Sequence, residues 1–161
     1  MTTETYGRMT VTPTADGLAI GGSIDETSSL GSLPSRARNG RLVLDLEAVG
    51  FINSLGVRDW IRMQAAAQAG GVAVELRRVA EPLVHQLNMI VATRGTAEVT
   101  SFYAPYACDA CGREESILVD AVTHRQLLTR MQAPPSTCPE CGAAMAFNDF
   151  PERYFSFLAR P

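Results

Sequence analysis

Lysine is absent: all 14 basic residues are arginine. That removes Schiff-base chemistry, the phosphate-gripping lysine of a P-loop and the lysine of a kinase site in one step. Histidine is nearly absent too, with only His85 and His124 in the chain, so few catalytic triads or histidine-ligated metal sites can be assembled. A non-enzymatic protein is the expectation. No uncharged run approaches the ~18 apolar residues of a membrane span. The opening Met-Thr-Thr-Glu-Thr-Tyr-Gly-Arg lacks the basic-then-apolar order of a signal peptide, so a cytoplasmic location without direct membrane insertion is expected. Basic excess is missing as well: a net charge of -3 and a pI near 5.4 give no general pull toward phosphate backbones or anionic lipid.

What remains is ordinary for a folded chain. With 46% hydrophobic and 19% charged residues the sequence sits near the globular average, and 161 residues suffice for one domain plus an appendage. Composition changes near residue 100, since every cysteine and most aromatics lie beyond it. Two modules are therefore expected, residues 1–102 and residues 103–161.

In the first module the apolar period alternates between two and about 3.6, the mark of strands interleaved with helices, so the fold class is α/β. Arg41-Leu-Val-Leu-Asp-Leu46 puts Leu42, Leu44 and Leu46 on one face with Val43 apolar on the other, which predicts a central strand covered on both sides. Residues 57–69, with Trp60, Ile61 and Met63, predict a helix stopped by Gly70-Gly71. Val72, Val74 and Leu76 predict the next strand, and Pro82 opens a helix to about residue 90. His85, between apolar neighbours on that helix, is expected to be a satisfied structural histidine. Strands are also expected over 8–12, 17–24 and 97–102, with a short helix at most in 27–40.

Cys108-Asp-Ala-Cys111-Gly112 and Cys138-Pro-Glu-Cys141-Gly142 are two copies of one device. Tetrahedral zinc takes four soft ligands at about 2.3 Å, and a two-residue gap lets one tight turn supply two of them. The glycine after each pair supplies the positive φ that closes such a turn. Disulfides require an oxidising compartment, and a redox dithiol requires only one pair, so one structural zinc is expected on Cys108, Cys111, Cys138 and Cys141. The metal would staple a small ribbon that cannot bury enough surface alone. The tail aromatics Tyr154, Phe155 and Phe157 are expected to pack as core rather than to dock a partner.

Phe51-Ile-Asn-Ser-Leu-Gly-Val57 joins a buried strand to a helix. Asn53 or Ser54 can cap that helix. A phosphate on Ser54 would meet the same free amides and the positive end of the helix dipole, so a cap and a switch are both open readings of the position.

Gly22-Ser-Ile-Asp-Glu26, Leu42-Val-Leu-Asp-Leu46, Val49-Gly-Phe-Ile-Asn-Ser-Leu-Gly-Val57, the Gly70-Gly71 stop and Val79-Ala-Glu-Pro-Leu-Val84 follow one another in the order and spacing of a known pattern. Over residues 8–102 the chain resembles the sulphate-transporter and anti-sigma-factor-antagonist (STAS) domain family. The resemblance implies a mostly parallel or mixed sheet with helices chiefly on one side, followed here by the zinc-ribbon module. It implies a non-enzymatic bacterial signalling adaptor that docks a serine kinase or anti-sigma factor. Ser54 falls on the family's phosphorylatable serine, Gly56 on its turn glycine and Asp25 on the acid after the second strand. Asn53 stands where the family carries Asp, and Leu55 where a small hydroxyl residue is common. The implied partner surface comprises Asp25, Asn53, Leu55, Gly56 and Arg58. A constitutive accessory subunit of an ATP-driven transporter is the alternative. Nucleic-acid binding through the ribbon ranks lower, because Asp109, Glu114, Glu115, Asp120, Glu140, Asp149 and Glu152 outnumber Arg113, Arg125, Arg130, Arg153 and Arg160.

Overall fold

The chain opens as an antiparallel meander of β1 (Glu4–Tyr6), β2 (Met9–Pro13) and β3 (Leu18–Ile24) in a computed structural model that describes residues 2–159. The broken stretch after β3 forms only a 3-10 turn, Leu33–Arg36. β4 (Arg41–Ile52) then pairs in parallel with β3 and with β5 (Ala73–Arg77), and β6 (Glu98–Val99) closes a six-stranded mixed sheet in the order β1-β2-β3-β4-β5-β6. α1 (Ser54–Ala69) makes the crossover between β4 and β5, while α2 (Glu81–Met89) and the single turn α3 (Val91–Arg94) lead from β5 to β6.

β4 is central, as Leu42, Leu44 and Leu46 require: each is at most 1% exposed. Its other face differs from the expectation of two apolar coverings. There Arg41 pairs with Glu75, and Arg78 pairs with Asp45 and, at 2.7 Å, with Glu47. Val43 is buried there beside the equally buried Glu75. β4 also runs six residues past Leu46, because two register irregularities opposite Ala19/Gly21 and Gly22/Ser23 bend the strand. Each bulge breaks the period-two pattern, so the alternation that marks the strand in the sequence does not carry past Leu46.

The expected strand over 97–102 divides at Thr100. Its first part is β6, and its second part begins β7 (Ser101–Ala107), which belongs to a second sheet of order β8-β7-β10-β9. That sheet contains the hairpin partner β8 (Glu114–Asp120), the short β9 (Ser136–Thr137) and β10 (Ala144–Phe147), with α4 (Arg125–Thr129) between β8 and β9. The composition boundary at 102/103 thus falls inside β7, where Phe102 bridges to Val79 of the first unit. One buried apolar cluster runs from Met9 to Phe157.

The tail after β10 forms α5 (Pro151–Tyr154) and a 3-10 turn, Ser156–Leu158. Its aromatics are core: Tyr154, Phe155 and Phe157 are at most 1% exposed and surround Phe102 at centroid distances of 6.4, 6.0 and 5.3 Å. The Tyr154 hydroxyl donates to the Tyr103 carbonyl at 2.6 Å, and burial pushes its pKa far up. His85, expected as a satisfied structural histidine, lies at the surface. Leu83, Val84 and Leu87 share the inward face of α2, and His85 is exposed beside them with an edge contact to Tyr154.

Candidate functional site

The two cysteine pairs occupy matching turns. In the first, the Gly112 amide donates to the Cys108 carbonyl at 2.8 Å, and the Cys108 amide donates to the Arg113 carbonyl at 2.8 Å. In the second, Gly142 donates to Cys138 at 3.0 Å and Cys138 to Ala143 at 2.8 Å. Gly112 and Gly142 sit at φ 77° and 76°, a left-handed conformation that favours glycine. Arg113, ion-paired with Glu140 at 2.9 Å, ties one turn to the other, a link of 27 residues that no local pattern announces.

The four sulfurs lie within 4.8 Å of one another. Cys108 Sγ is 3.5 Å from Cys141 Sγ, and Cys111 Sγ is 3.6 Å from Cys138 Sγ. A disulfide requires about 2.05 Å, so these are free thiols. Ligands about 2.3 Å from a tetrahedral centre stand roughly 3.8 Å apart, and the cluster therefore fits a metal ion. Its acid–base chemistry fits as well. Amides of Cys141 and Glu140 aim at the Cys138 sulfur and pull its thiol down to about 7. The Arg113 amide also draws Cys111 down, but hydrogen bonding to the Cys138 sulfur, burial and the other two sulfurs push it up to about 12. Thiolates crowded this closely stay partly protonated until a cation stands among them. Cys108 and Cys138 are buried, whereas Cys111 and Cys141 are exposed.

The second region is the entrance to α1. Asn53 is the cap: its extended backbone precedes the helix, and its Oδ1 accepts from the Gly56 amide at 2.8 Å. Ser54 is the first helical residue and is exposed. The structure thereby separates the two residues that the sequence left interchangeable. Gly56 is buried, and a β-carbon there would lie 2.2 Å from the Ile24 carbonyl oxygen. Its role is to let α1 approach the end of β3 without a side chain between them.

Asp25 is likewise inside, at 1% exposed. Its Oδ1 accepts from the Thr27 hydroxyl at 2.5 Å and the Thr27 amide at 2.9 Å, while Oδ2 meets Arg8 Nε at 3.0 Å. Thr27, then Arg8, holds the Asp25 carboxyl below the usual carboxylate range. Asp25 thus shapes the β3 turn from within. The surface itself is formed by Ser54, Leu55 at 40% exposed, Arg58 and Phe51 at 53% exposed. Arg58 Nε lies 3.2 Å from Asp59 Oδ1.

Two residues at this entrance escape sequence reasoning. Phe51 lies past the alternation that marks the strand, and the structure places it at the end of β4 after the second bulge, with its side chain outward. Glu26 accepts from Asn53 Nδ2 at 2.9 Å and is itself held below the usual carboxylate range by that bond. No signal links Glu26 to Asn53 across 27 positions. Among the described residues no helix is long and apolar enough to cross a membrane. Compared with protein-family models, with curated proteins and with solved structures, the chain matches none of them.

Proposed function

We propose that the protein is a non-enzymatic docking module that presents the entrance of α1 to a protein partner, with Ser54 as a phosphorylation switch. The observation that carries this reading is the division of labour at the entrance. Asn53 performs the capping, which leaves the exposed Ser54 hydroxyl unneeded for the fold, beside the exposed apolar side chains of Phe51 and Leu55. A phosphate at this first helical position would meet the helix dipole favourably and add close to two negative charges next to Glu26. Together with the resemblance over residues 8–102, this favours a partner of the serine-kinase or anti-sigma type. The four cysteines are read as ligands of one structural zinc, since a closed tetrahedral set of four thiolates suits that ion and leaves no open position for catalysis.

The experiment has two arms. Ser54→Asp should keep the fold and change affinity for partners recovered with the wild type by at least tenfold, about 1.4 kcal/mol, while Ser54→Ala binds like the wild type. Unchanged affinity of Ser54→Asp for every recovered partner refutes the switch. Elemental analysis of protein purified without added metal should find one zinc per chain, and a native disulfide among the cysteines refutes the zinc centre.

A further inference from the structure

Four short elements lie between the thiol cluster and α1, and none can stand alone. β10 is four residues long, with two ladder pairs to β7 and two to β9, and Cys138 and Cys141 lie in the turn between β9 and β10. α5, the 3-10 turn after it and α3 have four, three and four residues. Isolated helices below roughly 12 residues are marginal in water, so tertiary contacts hold all three.

Those contacts form one route. Phe147 of β10 stacks on Phe155 with ring centroids 4.9 Å apart. Asn88 at the end of α2 then grips the segment: its Nδ2 donates to the Tyr154 carbonyl at 2.8 Å, and its Oδ1 accepts from the Phe157 amide at 3.0 Å. Arg94 of α3 donates to the Phe157 carbonyl at 2.6 Å. One residue earlier, the Thr93 carbonyl accepts from Trp60 Nε1 at 2.8 Å and Gln64 Nε2 at 3.3 Å, both on α1. The Thr93 hydroxyl is buried with no hydrogen-bond partner among the described residues, so these carbonyl contacts, and not its side chain, supply the polar links of α3 to α1.

We propose that metal loading controls the order of α1 and of the surface at its entrance, acting through the C-terminal aromatic segment. The proposal rests on the reading of the four cysteines as a metal centre. A filled centre closes β9 onto β10 and seats Phe147. Phe147 seats Phe155, the segment fixes α3, and α3 fixes Trp60. Without the ion, the crowded thiols no longer anchor β10, the aromatic segment leaves Phe102, and the hydrogen bonds from Trp60 and Gln64 lose a fixed acceptor. Docked and undocked segments are the two states, and the metal favours the docked one because only that state holds four converged sulfurs.

The chain carries its own probe, since Trp60 is its one tryptophan and is fully buried. The reduced full chain is stripped with excess EDTA, its metal content is measured, and Trp60 emission and amide exchange are followed. Emission should move to the red. Exchange over residues 88–97 and 53–64 should accelerate about tenfold, equivalent to about 1.4 kcal/mol of lost local stability. β3 and β4 should stay protected, and added zinc should restore both signals. Asn88→Ala, with metal still bound, should accelerate residues 88–97 and, through α3, residues 53–64, with β3 and β4 still protected; unchanged exchange there refutes the route through Asn88. Protein that carries no metal and takes up no added zinc overturns the metal reading and this proposal with it. Metal that leaves while Trp60 emission and exchange stay constant overturns the coupling alone. Acceleration extending through β3 and β4 also overturns it, because the metal would then support the whole fold rather than this route.

Discussion

The assignment of capping to Asn53 rather than Ser54 makes a quantitative difference between adjacent alanine substitutions. Asn53→Ala removes the acceptor of the Gly56 amide and the donor to Glu26. Loss of an N-cap side chain costs about 1 kcal/mol, within a range of roughly 0.5–2. The exposed Glu26 contact adds little to that in solvent. Ser54→Ala removes an exposed hydroxyl from the first helical turn, and surface changes of this kind stay within about 0.5 kcal/mol. In a chain of this size, 1 kcal/mol corresponds to a melting-temperature shift of about 2–4 °C. Urea unfolding followed by Trp60 fluorescence, with thermal melts beside it, should therefore show a clear loss for Asn53→Ala and almost none for Ser54→Ala. Asn53→Asp adds a test of sign. It keeps a capping oxygen, but it sets a carboxylate where Asn53 Nδ2 now donates to Glu26. The substitution should be tolerated better when combined with Glu26→Gln. If Ser54→Ala destabilises as much as Asn53→Ala, or if Glu26→Gln has no influence on Asn53→Asp, the reasoning fails.

Gly56→Ala should destabilise by about 1–3 kcal/mol or more, because its β-carbon would meet backbone rather than a side chain able to move, and a denaturation midpoint close to wild type contradicts this. Tyr154→Phe should cost about 1–3 kcal/mol by leaving the Tyr103 carbonyl without its donor, measured by urea titration; a neutral substitution would show that the carbonyl finds another partner. The lowered pKa of Asp25 fixes the sign of one pH effect: a group more acidic in the folded chain stabilises it above the unfolded pKa, near 3.9, and that contribution disappears as pH falls through the lower folded value. Acid titration of stability should therefore be less steep in Asp25→Asn below about pH 4, and equal slopes would exclude Asp25 from the acid response.

Much of this molecule is written in short stretches of chain. The period of Leu42, Leu44 and Leu46, the glycine stop at Gly70-Gly71 and the proline start at Pro82 each act within one element, and β4, α1 and α2 form where those signals lie. The cysteine pairs are equally local, because residue type and a two-residue gap already determine the turn that brings two sulfurs together. Partners distant in sequence were decided only by the tertiary structure. Asn53 became the cap and Ser54 the exposed neighbour when Gly56 met the Ile24 carbonyl and Glu26 came within reach of Asn53. Asp25 entered the interior because Thr27 and Arg8 satisfy its carboxylate. The division at Thr100 and the return of Phe155 and Phe157 to Phe102 depend on which sheet offers free ladder groups and which surface offers apolar cover. Hydrophobic burial is non-directional, so a sequence can say that such aromatics will be covered, while only the assembled fold says by what.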